Sequence, residues 1–390
     1  MSSGQEELKG DVVSNVDGLE GRLREIGHRI FENPELKFEE FKAMKWLTEE
    51  LEKRGFDVER GVGGLETAFV GRCPHGGDGP TIAYLSEYDA LPGLGHACGH
   101  NLIATIGLGA GLALCPLMEE LDGNLLVIGT PAEEGGGGKI ELIESGVFDE
   151  VDVAMMVHPS DQTLIGRGSL GIKEIKMDFY GKASHASAEP EKGINALDAA
   201  ISTFNNINAL REHMEESARV HGVITDGGEK PNIVPEHAGA LFYVRSPKND
   251  YLEELIGKVK KCAEAGAMAA GADVEISQEG HAYRPMDPNP VLVDLFRDNI
   301  ESIGVEVGEA KGGMGSTDMG DVSQEMPAIH GYIKIVEEGV PAHSQEFARA
   351  ADSDEGYEGM IAAAKALAMT GVDVLGDGET FEKVRERFRE

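Results

Sequence analysis

Apolar residues at Leu19, Leu23, Ile26 and Ile30 recur at steps of three and four. That spacing predicts an amphipathic helix over Leu19 to Phe31, ended by Asn33-Pro34-Glu35. Phe38, Phe41, Met44, Leu47 and Leu51 repeat the pattern in a second helix, with Gly55 where a C-terminal glycine cap belongs. Val58 to Gly71 predicts strands around the turn Gly61 to Gly64, and Cys73 to Pro80 a loop. Three short apolar runs follow, Thr81 to Leu85, Asn124 to Gly129 and Asp152 to Val157, separated by helical segments at Leu102 to Met118 and Lys139 to Ser145. Strands alternating with helices predict an α/β sheet with parallel strands. In such sheets ligands gather beyond the carboxyl ends of the strands.

From about Gly171 the pattern changes. Ile172 to Tyr180, Gly239 to Arg245 and Val274 to Gln278 read as strands, and Ala196 to Leu210 and Tyr251 to Ala270 as helices. This order suits a compact α+β insert with an antiparallel sheet. Pro285 to Pro290 reads as a return linker, followed by a helix at Val291 to Ile303, a strand at Ala328 to Val336 and a helix at Tyr357 to Met369. The fold class expected is therefore two-domain α/β. Residues 1–170 and 286–390 form one domain with a mixed sheet, and residues 171–285 form the insert.

Charge narrows the partners. The 390 residues include 70 acidic and 35 basic side chains, a net charge of −35. This excludes a nucleic-acid partner, which requires clustered Lys and Arg. It also exceeds what solubility requires, and predicts a halophilic protein whose self-repulsion is screened at high salt. Cys73, Cys98, Cys115 and Cys262 show no disulfide-framework spacing, so free thiols in a reducing cytoplasm are expected. The start, Met1 to Asp11, is polar and acidic, unlike a signal peptide. Leu102 to Met118 approaches spanning length, but it carries Gly107, Gly109 and Gly111 and directly follows the richest chemical motif. A core helix, with no membrane partner, is the expectation.

That motif runs from Ser86 to Asn101 and includes Glu87, Asp89, His96, Cys98 and His100. Cys98 and His100 flank a glycine at a metal-ligand spacing, since thiolate and imidazole both suit zinc or a similar ion. Asp89, the pair Glu133–Glu134 and His158 each stand at or just past a predicted strand end. With His343, the candidates outnumber the three protein ligands that one catalytic ion takes. They suit two divalent ions about 3.5–4 Å apart sharing a water. One of Glu133 and Glu134 would bind metal while the other faces that water as general base. The loop Gly312 to Asp318 lacks the Lys-Ser/Thr ending of a phosphate loop, so no nucleotide is expected.

Together these residues resemble the M20 family of metallopeptidases and amidohydrolases, in the branch with a Cys-Gly-His ligand pair. The resemblance is carried by His28 to Leu36, Asp89-Ala90-Leu91-Pro92, Cys98-Gly99-His100, Pro131 to Gly136, His158, Gly181 to Ala186 and His343. It implies a di-metal hydrolase domain with an inserted lid and dimerisation domain, hence a homodimer or higher homo-oligomer. It implies Cys98, His100, Glu134, His158 and His343 as ligands of two divalent ions, zinc or manganese, with Glu133 as general base and Asp89 orienting a ligand. It further implies that His185 steadies the oxyanion in a neighbouring subunit's site, and that Asn232, Arg245, Gly312 and Gly313 hold the substrate. Other branches carry a ligand histidine where this chain has Glu87, and an Asp is frequent where it has Asn101. These departures, with Gly315 to Ser323, resemble the aminobenzoyl-glutamate hydrolase and dipeptidase-like members most.

The implied reaction is hydrolysis of a small amide: an N-acyl amino acid, an aminobenzoyl-glutamate-like conjugate or a dipeptide. Two readings from other classes remain beside it. One is a non-hydrolytic small-molecule-binding protein with a structural metal. The other is a thiol hydrolase with Cys98 as nucleophile and His96 or His100 as its base. His75, His96, His213, His221, His237, His281 and His330 are read as structural or surface histidines.

Overall fold

The structure, a computed structural model, describes residues 3–309 and 315–389. Its strands are β1 (Asp57–Arg60), β2 (Phe69–Arg72), β3 (Thr81–Glu87), β4 (Asn124–Thr130), β5 (Val153–Ser160), β6 (Gly171–Tyr180), β7 (Arg219–Asp226), β8 (His237–Ser246), β9 (Asp273–Tyr283) and β10 (Ala328–Lys334). The chain divides into two units. The first comprises Met1–Gly168, Asp287–Met314 and Asp321–Glu390; the second comprises Ser169–Met286 and Gly315–Gly320.

The first unit holds a six-stranded sheet in the order β1-β2-β4-β3-β5-β10. β3 pairs in parallel with β4 and β5, and β5 with β10, while β1–β2 and β2–β4 are antiparallel. The sheet is therefore mixed, and its parallel strands send their carboxyl ends to one edge.

Glycines explain how the helix His100–Leu114 lies on this sheet. A Cβ on Gly107 would stand 2.6 Å from Leu85 O, and one on Gly111 2.3 Å from Val127 Cγ2, so both glycines lie against β3 and β4. Gly109 lies between them on the opposite face, where a Cβ would meet Leu23 and Ala364 of the helices Ser3–Phe31 and Asp354–Leu375. The helix is thus held between sheet and helices. His100–Glu120 is apolar and long enough to cross a membrane by composition, yet it lies buried in this unit.

The first helix begins at Ser3, well before Leu19. Buried Val12 and Val16 carry the stripe of Leu19, Leu23, Ile26 and Ile30 back through a segment whose acidic residues hide it. The expectation of four free thiols is corrected. Cys73 and Cys115 form a disulfide, with Cα atoms 5.8 Å apart, and Cys98 and Cys262 stay free. The pairing is tertiary: Cys73 donates its N–H to Leu125 O on β4, and Cys115 ends the helix packed on that strand. A separation of 42 residues carries no spacing signature. The disulfide also removes the argument for a reducing compartment that rested on free thiols.

The second unit is a four-stranded antiparallel sheet, β7-β8-β6-β9. Alternate residues of β6 (Ile175, Met177, Phe179) and β8 (Ala238, Ala240, Phe242, Val244) are buried in one core with Ala199, Ile207, Leu255 and Val259 of the helices Ala196–Leu210 and Asn249–Ala270. Edge strand β7 has no counterpart in the sequence reading. Only Val220 of it is buried, so it lacks the alternation that marks a half-covered strand.

Candidate metal centre

The carboxyl edge of the parallel strands gathers the chemistry. β3 ends at Glu87 and leads to Asp89, β4 ends at Thr130 and leads to Glu133 and Glu134, and β5 carries His158 near its end. Gly99 links Cys98 to the helix that starts at His100. It sits at φ +78°, and a Cβ there would lie 2.9 Å from Pro159 Cγ, so the turn requires glycine on two counts. The turn before Glu133 is tight as well. Ala132 takes φ +61° and donates its N–H to buried Glu40, whose other oxygen accepts the Thr67 hydroxyl. His343 sits at φ +62°, its N–H bonded to Ala97 O, which ties its loop to the residue before Cys98.

Each ring has one nitrogen assigned by its partner. Asp89 Oδ1 lies 3.0 Å from His100 Nδ1, and Asp89 Oδ2 accepts the Glu134 N–H at 2.9 Å. His158 Nδ1 donates to Pro159 O at 2.6 Å. Both rings therefore turn Nε2 toward the centre, with the lone pair available once that nitrogen is unprotonated. His158 Nε2 lies 3.4 Å from Cys98 Sγ, and His343 Nε2 lies 3.1 Å from Glu134 Oε1.

Three overlapping sets of donor atoms result: Cys98, His100 and His158; Cys98, Glu134 and His343; and His100, Glu133 and Glu134. Within each set the atoms lie within 4.8 Å of one another. Among the described residues, His100 Nε2 is buried with no hydrogen-bond partner, and Glu134 Oε1 is buried against His343 alone. Buried polar atoms are seldom left so, and water or an ion usually completes them. One thiolate, three imidazoles and two carboxylates fit divalent metal ions.

The electrostatics agree with that chemistry. Burial pushes the Cys98 thiol up, but the charges of His158 and His100 outweigh it and bring it down to about 6. Burial opposes the charge on His100, yet Asp89 and Cys98 hold its pKa well above the usual histidine value. Hydrogen bonds to Cys98 and Glu134 draw His343 up to about 10. Burial likewise opposes the Asp89 carboxylate, and the charge of His100 prevails and lowers its pKa.

The structure thus brings Cys98, His100, Glu133, Glu134, His158 and His343 together, with Asp89 behind His100. Asn101 donates its amide to Ala351 O at 2.8 Å and Gly27 O at 3.3 Å, a pair of acceptors that an aspartate could not serve. His185, Asn232 and Arg245 belong to the second unit. There His185 pairs with Ile233 as a β-bridge, Asn232 O accepts the Ala186 N–H, and Arg245 has a buried Nε without a hydrogen-bond partner among the described residues. Gly312 and Gly313 lie outside the described residues. His96 is buried with both ring nitrogens unpartnered among the described residues, and burial lowers it to about 3, so it is neutral.

Residues passed over in the sequence also line this edge. Tyr332 of β10 is the register partner of His158, with ring centroids 5.8 Å apart. The His330 ring is tilted against that of Tyr332, centroids 4.8 Å apart, and burial holds it neutral. Lys139, in the first turn after the four glycines, is fully buried on Glu87. Its signal was its place: a cation just beyond a strand end already crowded with carboxylates.

Comparison with known proteins gives this chain a family and a fold. The family model described as peptidase family M20/M25/M40 matches residues 83–366. An Xaa-Arg dipeptidase of Mus musculus is 39% identical over 98% of this chain and 92% of its own length. A subunit of the p-aminobenzoyl-glutamate hydrolase of Escherichia coli K12 is 29% identical over 95% of this chain and 92% of its own. A crystal structure of a dinuclear metal-binding M20 peptidase from Bacillus subtilis superposes with a TM-score of 0.75, at 21% identity, covering 92% of this chain and 99% of the other.

Proposed function

This chain belongs to peptidase family M20/M25/M40, and from that premise we propose that it is a two-metal dipeptidase and amidohydrolase. The observation that carries the reading is the interlocking of three donor sets through Cys98, His100 and Glu134, with Glu133 among them. Cys98, His100, Glu134, His158 and His343 would hold the ions. Bound divalent ions would polarise the scissile carbonyl and acidify a water.

The remaining steps fall to side chains. Glu133 takes the proton of the attacking water and delivers it to the leaving amine, so one carboxylate serves both halves of the reaction. Asp89 keeps His100 in one tautomer and orientation through the cycle. His185, supplied by a second copy in a homodimer, steadies the tetrahedral oxyanion. Asn232 and Arg245 hold the substrate, Arg245 through a carboxylate.

The 39% identical relative is named for Xaa-Arg dipeptides, which makes dipeptides with a C-terminal basic residue the first substrates to assay. N-acyl amino acids and aminobenzoyl-glutamate follow. The test is turnover of this panel before and after chelation, with zinc and manganese restored separately. Loss on chelation and recovery with metal is the expected result. Hydrolysis that resists chelation but is abolished by thiol alkylation would move the chemistry to Cys98 as nucleophile.

A further inference from the structure

Glu87 and Lys139 form an ion pair at the base of the centre that the proposed reaction does not employ. Both side chains are shut off from solvent: Glu87 and Lys139 are each 0% exposed. Lys139 Nζ bonds one of the carboxylate oxygens, Oε1. The other, Glu87 Oε2, is buried without a hydrogen-bond partner among the described residues. It lies 3.6 Å from His100 Nε2, which likewise has no hydrogen-bond partner among the described residues. Two buried atoms, each a potential donor to metal, face each other with nothing assigned between them.

Water or an ion is the usual completion of such atoms. Two donors that share one ion at about 2.1 Å each, at a near-tetrahedral angle, stand roughly 3.4 Å apart. The observed separation fits that arrangement. His100 cannot turn away to relieve it, because its Nδ1 is committed to Asp89.

We propose that Glu87 Oε2 is a further ligand of the ion held at His100, and that Lys139 is the positioning cation that aims this carboxylate and balances its charge. The inference rests on the two-metal reading above. Its chemical consequence is one more hard oxygen donor in a centre that also holds a thiolate. That shifts the His100 ion toward manganese relative to what the sulfur and nitrogen donors alone would select.

Metal binding, read without turnover, tests this. Metal-free protein is titrated with manganese, followed by the electron paramagnetic resonance of the free ion, and with zinc against a competing chelating dye. The unsubstituted chain is expected to take two ions. Glu87→Gln is expected to lose one, or to weaken one site at least tenfold, with manganese affected more than zinc. Glu87→His, which restores a donor atom, is expected to recover zinc more than manganese. Lys139→Met is expected to weaken the same site, and Lys139→Arg to preserve it. If Glu87→Gln fails to fold, the double variant Glu87→Gln/Lys139→Met, which removes both buried charges, takes its place. Two ions bound with unchanged affinity in either variant would overturn the proposal while leaving the hydrolase reading intact. Failure of the unsubstituted chain to bind any divalent ion would overturn both.

Discussion

Asp89 grips His100 with one oxygen, 3.0 Å from Nδ1, and takes the Glu134 backbone N–H with the other at 2.9 Å. One buried carboxylate thereby fixes two candidate ligands that arrive on different segments, one at a helix start and one on the loop after β4. Replacing it by an amide removes the charge that orients the imidazole and makes it a stronger donor. Asp89→Asn is expected to lower metal affinity about 10- to 100-fold, the usual effect of losing such a partner. Metal competition titrations would show it. Unchanged affinity would mean that helix packing alone holds His100 in place.

Glu133 carries a different expectation. It shares a donor set with His100 and Glu134, but its proposed task is to carry a proton. Glu133→Gln keeps the shape and removes the base. Metal content should stay at the level of the unsubstituted chain while kcat falls about 10²- to 10⁴-fold, the range attributed to general acid–base catalysis. Elemental analysis beside steady-state kinetics separates the two quantities. Turnover that survives the substitution would transfer the base to another group.

Much of this centre is legible in the sequence, for a physical reason. Parallel strands deliver their carboxyl ends to one edge, so Asp89, Glu133, Glu134 and His158 could be grouped from strand pattern alone. His343 could be counted as a candidate ligand but not placed this way: it sits at positive φ in a loop several residues past the last strand, so no strand end brings it to the centre. Lys139 escaped notice because a lysine in a first helical turn is ordinarily solvated, and only Glu87, on another strand, decides otherwise. Cys73 and Cys115 are joined by the stacking of a helix over β4, a tertiary fact with no local signature. β7 was missed because most of its length is uncovered on both faces, so no alternation is written into it.

Cys98 gives a pH-dependent expectation. Its pKa of about 6 in the metal-free protein means that the thiol is protonated below that value and a thiolate above it. Alkylation by iodoacetamide should rise with pH through about 6 and level off near neutrality. Cys262, whose pKa burial raises, should still be gaining reactivity there. Added zinc or manganese should protect Cys98 and leave Cys262 as it was, because the ligand sulfur is then occupied. Peptide mass spectrometry resolves the two sites. A Cys98 that reacts equally with and without metal would be excluded as a ligand.

The disulfide offers a stability test independent of the metal. Cys73–Cys115 closes a loop of 42 residues between β2 and the end of the helix His100–Leu114. Constraining the unfolded chain over that length is worth about 4 kcal/mol in the loop-entropy account. The linked residues sit at the far end of that helix from His100, so removing the bond should act on the fold before it acts on the donor atoms. Cys73→Ser/Cys115→Ser is expected to lower the free energy of unfolding in urea by about that amount, with reductant producing the same loss in the unsubstituted chain. Metal stoichiometry of the folded variant should be unchanged. Equal urea midpoints with and without reductant would show that the link adds nothing to stability, and that packing of the glycine-bearing helix on β3 and β4 alone holds this part of the sheet.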